Sequence, residues 1–277
     1  MGGAKRVIVR SFGSEVPGPE ARDLAGWIDK RRGTGGDLTS YLLEESLDPQ
    51  EGVDLPCAGG RIYRARMLES VVGLEGETLV REPSAETILV EEDARWGASR
   101  RKGLLFSLPA PHLLGIRDDH YHDREEFCEG LAGCYRQILR AMRDAGSGGH
   151  VLLGDRVYTE ELEHLAGPRT LFFFPDLTGE GLRVLLESQG TVAVPRNLLG
   201  EALGLLDEFE LRHLTILDGK GEDLLAALEY LDPDQVSLGG YCREDCKKYW
   251  RELVDRAVIP RQTPPPRRAP RSTGSSS

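Results

Sequence analysis

From about residue 100 onward the chain repeats one pattern: a short apolar, β-branched or aromatic run, then a longer stretch of helical period. The short runs are 104–108 (LLFSL), 150–154 (HVLLG), 170–174 (TLFFF), 191–195 (TVAVP), 213–217 (HLTIL) and 235–239 (QVSLG). A run with no polar face belongs in a strand covered on both sides, as parallel sheets require. Between them, 123–146, 158–165, 180–188, 197–209, 221–231 and 243–256 carry apolar residues at helical spacing. Several open on Asp, Asn or Thr and close near Gly, as helices do. Repeated βα units predict parallel strands joined by crossovers.

The N-terminal part supplies two more strand candidates, 6–11 (RVIVRS) and 52–56 (GVDLP), which bring the number to eight. Eight βα units over about 250 residues predict one (β/α)8 TIM barrel, here spanning 1–258. Segments 18–33, 37–47 and 61–73 read as helices, and 75–92 alternates like a β-hairpin decorating the barrel rim. A doubly wound open sheet is the competing fold, since it needs no eighth strand. Residues 259–277 are rich in Pro, Arg and Ser with little to bury, and are expected to be a disordered tail.

Net charge excludes some functions. The chain carries −11 at neutral pH, and Arg261, Arg267, Arg268 and Arg271 lie in the tail, so the body is more negative still. Such a body repels a phosphate backbone, so there is no strong case for nucleic acid. No apolar run reaches the ~18 residues of a membrane span and the N-terminus has no signal-type stretch, so no membrane is expected and the location is expected to be cytoplasmic. No GxGxxG or GxxxxGK[ST] loop is present. The cysteines, Cys57, Cys128, Cys134, Cys242 and Cys246, are odd in number and scattered, which predicts reduced thiols.

Several segments, read in order, resemble the C-terminal catalytic domain of cobalamin-independent methionine synthase. Residues 13–17 (GSEVP) are similar to that family's Gly-Ser-x-x-Pro element, and 49–67 (PQEGVDLPCAGGRIYRARM) to a second conserved segment. Residues 107–127 (SLPAPHLLGIRDDHYHDREEF) give the clearest match, to Leu-Pro-Gly-Pro-Tyr followed by Asp-x-Tyr-Tyr-x-Asp-Arg-Glu. The resemblance implies a TIM barrel, a zinc-bound thiolate, and methyl transfer from a folate-like donor to a small thiol. It also exposes departures. The family's Asp-Glu-Pro corresponds to Gly154-Asp155-Arg156, its His-x-Cys zinc ligands have no counterpart in 171–179 (LFFFPDLTG), and its substrate-binding Glu corresponds to Gly60. Only Cys242 stands where a zinc ligand is implied, and catalytic zinc needs about three.

Barrel enzymes place chemistry at strand C-terminal ends, which singles out Ser14, Cys57, His112, Asp155, Asp176, Asp218 and Cys242. Cys242 is the candidate thiolate and metal ligand, and Asp155 the candidate partner for an ammonium or a proton. Gly13, Ser14, Asp176, His112 and Tyr121 are the candidate substrate contacts. Each has a plainer role open to it: Ser14 a turn or cap, Asp155 the cap of the helix at Tyr158, Cys246 a packed side chain. Cys242 and Cys246, four apart, could share a helix face as a redox pair or half a metal site. His112, His120 and His122 with nearby Asp could chelate a metal, though loop histidines are usually solvated. The leading expectation is a divergent methionine synthase-like methyltransferase acting on a small thiol or amino-acid-like substrate, with zinc if the family's chemistry is retained. The alternatives are a non-catalytic barrel that binds a ligand or partner, and a metal-dependent barrel lyase or hydrolase.

Overall fold

The computed structural model describes residues 6–31 and 36–259. The proposed tail beyond 259 and the end of the first helix candidate lie outside these residues.

The elements, in chain order, are β1 Ile8–Ser14, α1 Ala21–Lys30, α2 Leu38–Leu47, β2 Cys57–Gly59, α3 Arg64–Glu69, β3 Val71–Glu75, β4 Thr78–Ala85 and α4 Ile88–Arg100. There follow β5 Leu105–Pro109, β6 Arg117–Asp118, α5 Arg124–Asp144, β7 Gly149–Leu153, α6 Thr159–Leu165, β8 Thr170–Phe173 and α7 Gly179–Ser188. The last described elements are β9 Thr191–Pro195, α8 Leu199–Gly204, β10 His213–Leu217, α9 Gly221–Ala227, β11 Val236–Cys242 and α10 Cys246–Arg256. All six C-terminal strand runs are strands, shifted by a few residues at most.

Eight parallel strands form two four-stranded sheets, ordered β1-β11-β10-β9 and β2-β5-β7-β8. Their inner side chains share one interior: Phe12, Cys57, Val151, Leu153, Leu171, Phe173, Ala193, Leu217 and Tyr241 pack together. Phe12 of one sheet stacks on Phe173 of the other with centroids 4.3 Å apart. The outer faces bury a larger cluster against the helices, with Leu131, Tyr135, Ile138 and Met142 of α5 all turned inward. α5 starts at Asp123, whose carboxylate accepts from the Glu125 and Glu126 N–H groups, satisfying donors that a helix start leaves free.

At one seam between the sheets a glutamine pairs the first residue of β2 while backbone bonds reach β1, and at the other a glutamine amide takes the place of a ladder. The Gln50 side chain donates to the Cys57 carbonyl at 2.7 Å and accepts from its N–H at 3.0 Å. Just before β2, Ser11 N–H donates to Leu55 O and Leu55 N–H to Val9 O, with a parallel bridge Arg10 to Leu55. At the other seam, Gln189 accepts from Phe172 N–H at 2.9 Å and donates to Phe172 O at 3.0 Å and Thr191 O at 2.8 Å. Among the described residues β8 and β9 share no hydrogen-bonded ladder. Strand groups facing a seam would otherwise be buried without partners, a cost of about 1–3 kcal/mol each.

Three sequence readings are corrected here. The strand expected over 52–56 is instead Cys57–Gly59. The hairpin expected over 75–92 is β3 with β4, joined by β6 and packed on α5, and α4 takes the residues from Ile88. The helix expected over 61–73 is a 3-10 turn, Arg61–Tyr63, running into α3, and β3 begins at Val71. Among the described residues no helix is long and apolar enough to cross a membrane.

Candidate functional site

In each sheet the parallel strands end together, and the bridge between Arg10 and Leu55 sets the two sheets in the same sense. Over the ends of β8 to β11 opens a cavity of about 520 Å3, lined by Phe173, Asp176, Arg196, Leu217, Asp218, Tyr241, Arg243 and Tyr249 among others. That volume suits a small molecule. Phe173, Leu217 and Tyr241 belong to the shared interior and give it an apolar wall, and the polar groups stand on the segments that leave each strand.

The polar groups are paired with one another. Arg243 Nη2 lies 2.9 Å from Asp176 Oδ2. Arg196 holds Asp223 at 2.6 Å and Glu222 at 2.8 Å. The Tyr249 hydroxyl donates to Asp218 Oδ1 at 2.7 Å. Burial, then the Asp218 charge, pushes the Tyr249 hydroxyl well above its ordinary range, so it remains a donor. Burial does the same for Tyr241, with the nearby Glu15 charge adding to it. Asp218 has φ 52°, a left-handed conformation rare outside Gly and Asn, and its carbonyl accepts from Arg256. Arg243 and Asp176 are both exposed, and such a pair is worth only about 0–1 kcal/mol, so a ligand can exchange it cheaply.

Beside the cavity, Gly13 at the end of β1 and Gly59 at the end of β2 have φ of +110° and +94°. A Cβ on Gly59 would stand 2.5 Å from the Ser107 carbonyl oxygen, and one on Gly13 2.7 Å from the Gly59 carbonyl oxygen. Main chain cannot withdraw as a flexible side chain would. Gly59→Ala is therefore expected to cost about 2 kcal/mol in denaturant unfolding, from the positive φ and the clash together. An unchanged midpoint would contradict this close approach.

The structure places the expected site residues as follows. Ser14 is fully buried beside Cys242 in the β1–β11 ladder, and among the described residues its hydroxyl has no partner, as is true of Ser107. Asp176 lines the mouth cavity and, with Asp155, a second cavity of about 270 Å3. Asp155 does not cap the helix at Tyr158: its carboxylate meets His112 Nε2 at 3.1 Å and Arg156 at 3.5 Å. His112 is held from its other side by Glu161 at 2.8 Å and lines a separate, mostly apolar cavity of about 310 Å3 with Phe127, Leu131 and Tyr158. Tyr121 turns to the decoration, donating to Glu82 at 2.7 Å; burial, then the Glu82 bond, pushes its hydroxyl up to about 12. Cys57 lies in the shared interior at the start of β2, and burial pushes its thiol far up, so it is inert.

Cys242 is the main correction. It is joined to Cys246 in a disulfide, so the expectation of five reduced thiols fails for this pair and holds for Cys57, Cys128 and Cys134. A disulfide sulfur provides no thiolate for attack or for a metal.

Zinc does not fit this donor set. The segment after β8 brings Asp176, already paired with Arg243, and the segment after β9 brings the cationic Arg196. Among the described residues no three His, Cys, Asp or Glu converge to hold a metal. His112, His120 and His122 do not converge either: His120 faces Glu82, and Asp118 Oδ2 accepts from the His122 backbone.

Arg196, Arg243, Tyr241 and Tyr249 were not singled out from sequence. Arg243 follows Cys242 directly and was within reach of a strand-end argument, whereas the pairing of Arg196 with Asp223 is visible only in three dimensions.

No protein-family model matches the chain, and no curated protein sequence matches it. Solved structures do. The putative vitamin-B12 independent methionine synthase of Listeria monocytogenes superposes with a TM-score of 0.58 at 15% identity, over 91% of this chain and 94% of that one. The B12-independent methionine synthase of Shewanella sp. W3-18-1, in complex with selenomethionine, superposes with a TM-score of 0.56 at 14% identity, over 91% and 96%. The chain thus shares, over nearly its whole length, the fold of methionine synthase-type proteins.

Proposed function

We propose that the eight parallel strands make one (β/α)8 barrel of methionine synthase type, one seam bridged by Gln189 and the other by backbone bonds between β1 and Leu55, whose mouth binds a small amino-acid-like molecule without zinc. The observation that carries this reading is the mouth cavity itself. Two guanidinium groups, three carboxylates and two phenolic hydroxyls surround an apolar wall of Phe173, Leu217 and Tyr241. Groups of both signs beside an apolar surface suit a ligand that bears an ammonium, a carboxylate and a short apolar side chain. Arg243 would take the carboxylate and Asp176 the ammonium, each giving up the other. Asp155, which shares the second cavity with Asp176, would flank the ligand from the β7 side.

A second reading is methyl transfer to a small thiol, supported by the Gly13-Ser14 element at the end of β1 and by the fold. In that case the thiol would have to be activated without a metal.

Calorimetric titration with L-methionine and L-homocysteine, with and without a chelator, tests both. Binding that survives the chelator and weakens about tenfold in Arg243→Ala, the effect of one exposed charge-assisted contact, is the expected result. Methylation of homocysteine by a methylfolate in the same samples would promote the second reading. No heat with either amino acid would overturn the first.

A further inference from the structure

We infer that the Cys242–Cys246 disulfide is a reversible latch on the loop that separates the barrel mouth from a side cleft, opened by thiol–disulfide exchange at Cys246. The disulfide joins the last residue of β11 to the first of α10 and encloses only Arg243, Glu244 and Asp245. A bridge across so short a loop restricts the unfolded chain least, so its main effect is on the loop itself. That loop is held in an unusual shape: Asp245 has φ 38° and ψ 62°, left-handed for a residue with a side chain, and its carboxylate accepts from Lys248 N–H to start α10.

The loop is also a partition. Arg243 and Glu244 line the mouth cavity on one side and, on the other, a cleft of about 840 Å3 formed with Glu15, Pro17, Tyr41, Cys246 and Lys247. Arg243 reaches across to Asp176, so the loop's shape sets a charge in the mouth.

The two sulfurs differ in access. Cys242 is fully buried, whereas Cys246 is half-exposed and lines the cleft. A thiolate from a dithiol entering the cleft attacks Sγ of Cys246; the Cys242–Cys246 bond breaks and Cys242 leaves as a thiolate that takes a proton. The second thiol of the reductant then displaces Cys246, which is released as a thiol, and the reductant departs as its own disulfide. Two electrons and two protons pass to the protein. Re-formation needs a disulfide oxidant such as oxidised glutathione, by the reverse exchange. Reduced, the loop loses the bond that holds Asp245 left-handed, and Arg243 is freed from the mouth.

The test is thiol counting combined with limited trypsin digestion of the full chain. After oxidised glutathione, denaturation and alkylation should label three cysteines, and five after dithiothreitol. Trypsin should cut after Arg243 about tenfold faster in the reduced protein, because cleavage follows the population of the opened loop. In Cys246→Ser, cleavage there should be fast and indifferent to dithiothreitol, with Cys246→Ala as a second variant should the serine disturb α10. Five labelled cysteines after the oxidant, or a cleavage rate in the native sequence that dithiothreitol does not change, would overturn the latch.

Discussion

Arg66→Met is expected to remove about 3–5 kcal/mol of folding stability, the usual result of leaving one member of a buried ion pair without the other. Arg66 has a side chain only 3% exposed and holds Asp93, itself 6% exposed, at 2.9 Å. It also reaches Asp37 at 2.7 Å and Glu69 at 3.0 Å, so it ties α3 to α4 and to the start of α2. Tyr63 donates to the same Asp93 oxygen at 2.7 Å. Burial, with the Asp37 charge adding to it, holds the Asp93 carboxyl above its ordinary range even with Arg66 present. Without Arg66, Asp93 would protonate at higher pH still, so the deficit should shrink as pH falls. Urea unfolding of Arg66→Met and of Arg66→Met with Asp93→Leu checks this. The double variant should recover most of the loss, because it removes the stranded charge; a double variant as unstable as the single one would mean that packing, and not the charge, was lost.

The second large effect is on acid stability. His150, on β7, is almost wholly buried, and its Nδ1 has no partner among the described residues. Burial, with the Arg143 charge adding to it, lowers its pKa to about 3 from the ordinary 6.5. The unfolded chain therefore binds a proton between pH 6.5 and about 3 that the folded chain refuses. Stability from this group is complete above pH 6.5 and is lost as pH falls through that window. At 1.36 kcal/mol per unit, the fall from pH 6.5 to 4 is about 3 kcal/mol. His150→Gln carries no such group, so its unfolding free energy should drop about 3 kcal/mol less than that of the native sequence between pH 7 and 4. Parallel pH profiles would contradict a neutral buried His150.

The C-terminal strands were legible because each is an apolar run with no polar face, and only burial on both sides satisfies such a run. The N-terminal part was less so. β2 is three residues long and its outward groups are paired by the Gln50 side chain, which no periodicity reveals. α4 was missed because Ile88 and Leu89 are exposed, while its packed face is made of Val90, Ala94 and Gly97. Gly97 is there because a Cβ would stand 2.6 Å from the Phe106 ring, so the helix is recognised by what it leaves out. Strand-end reasoning singled out Asp176 and Asp218, which line the mouth cavity, and Ser14 and Asp155, which do not. It did not reach Arg243 as the partner of Asp176, which lies 67 positions away in the chain. For Cys242 it left the redox pair among the alternatives, and that pairing is the one the structure displays.

The position of a bound ligand tests the mouth site most directly. A crystal structure of the chain soaked with L-methionine should show the amino acid at the strand mouth, its carboxylate on Arg243, its ammonium on Asp176 and its side chain against Phe173 and Tyr241. An amino acid seated instead in the apolar cavity beside His112, or a mouth unchanged at saturating ligand, would contradict it.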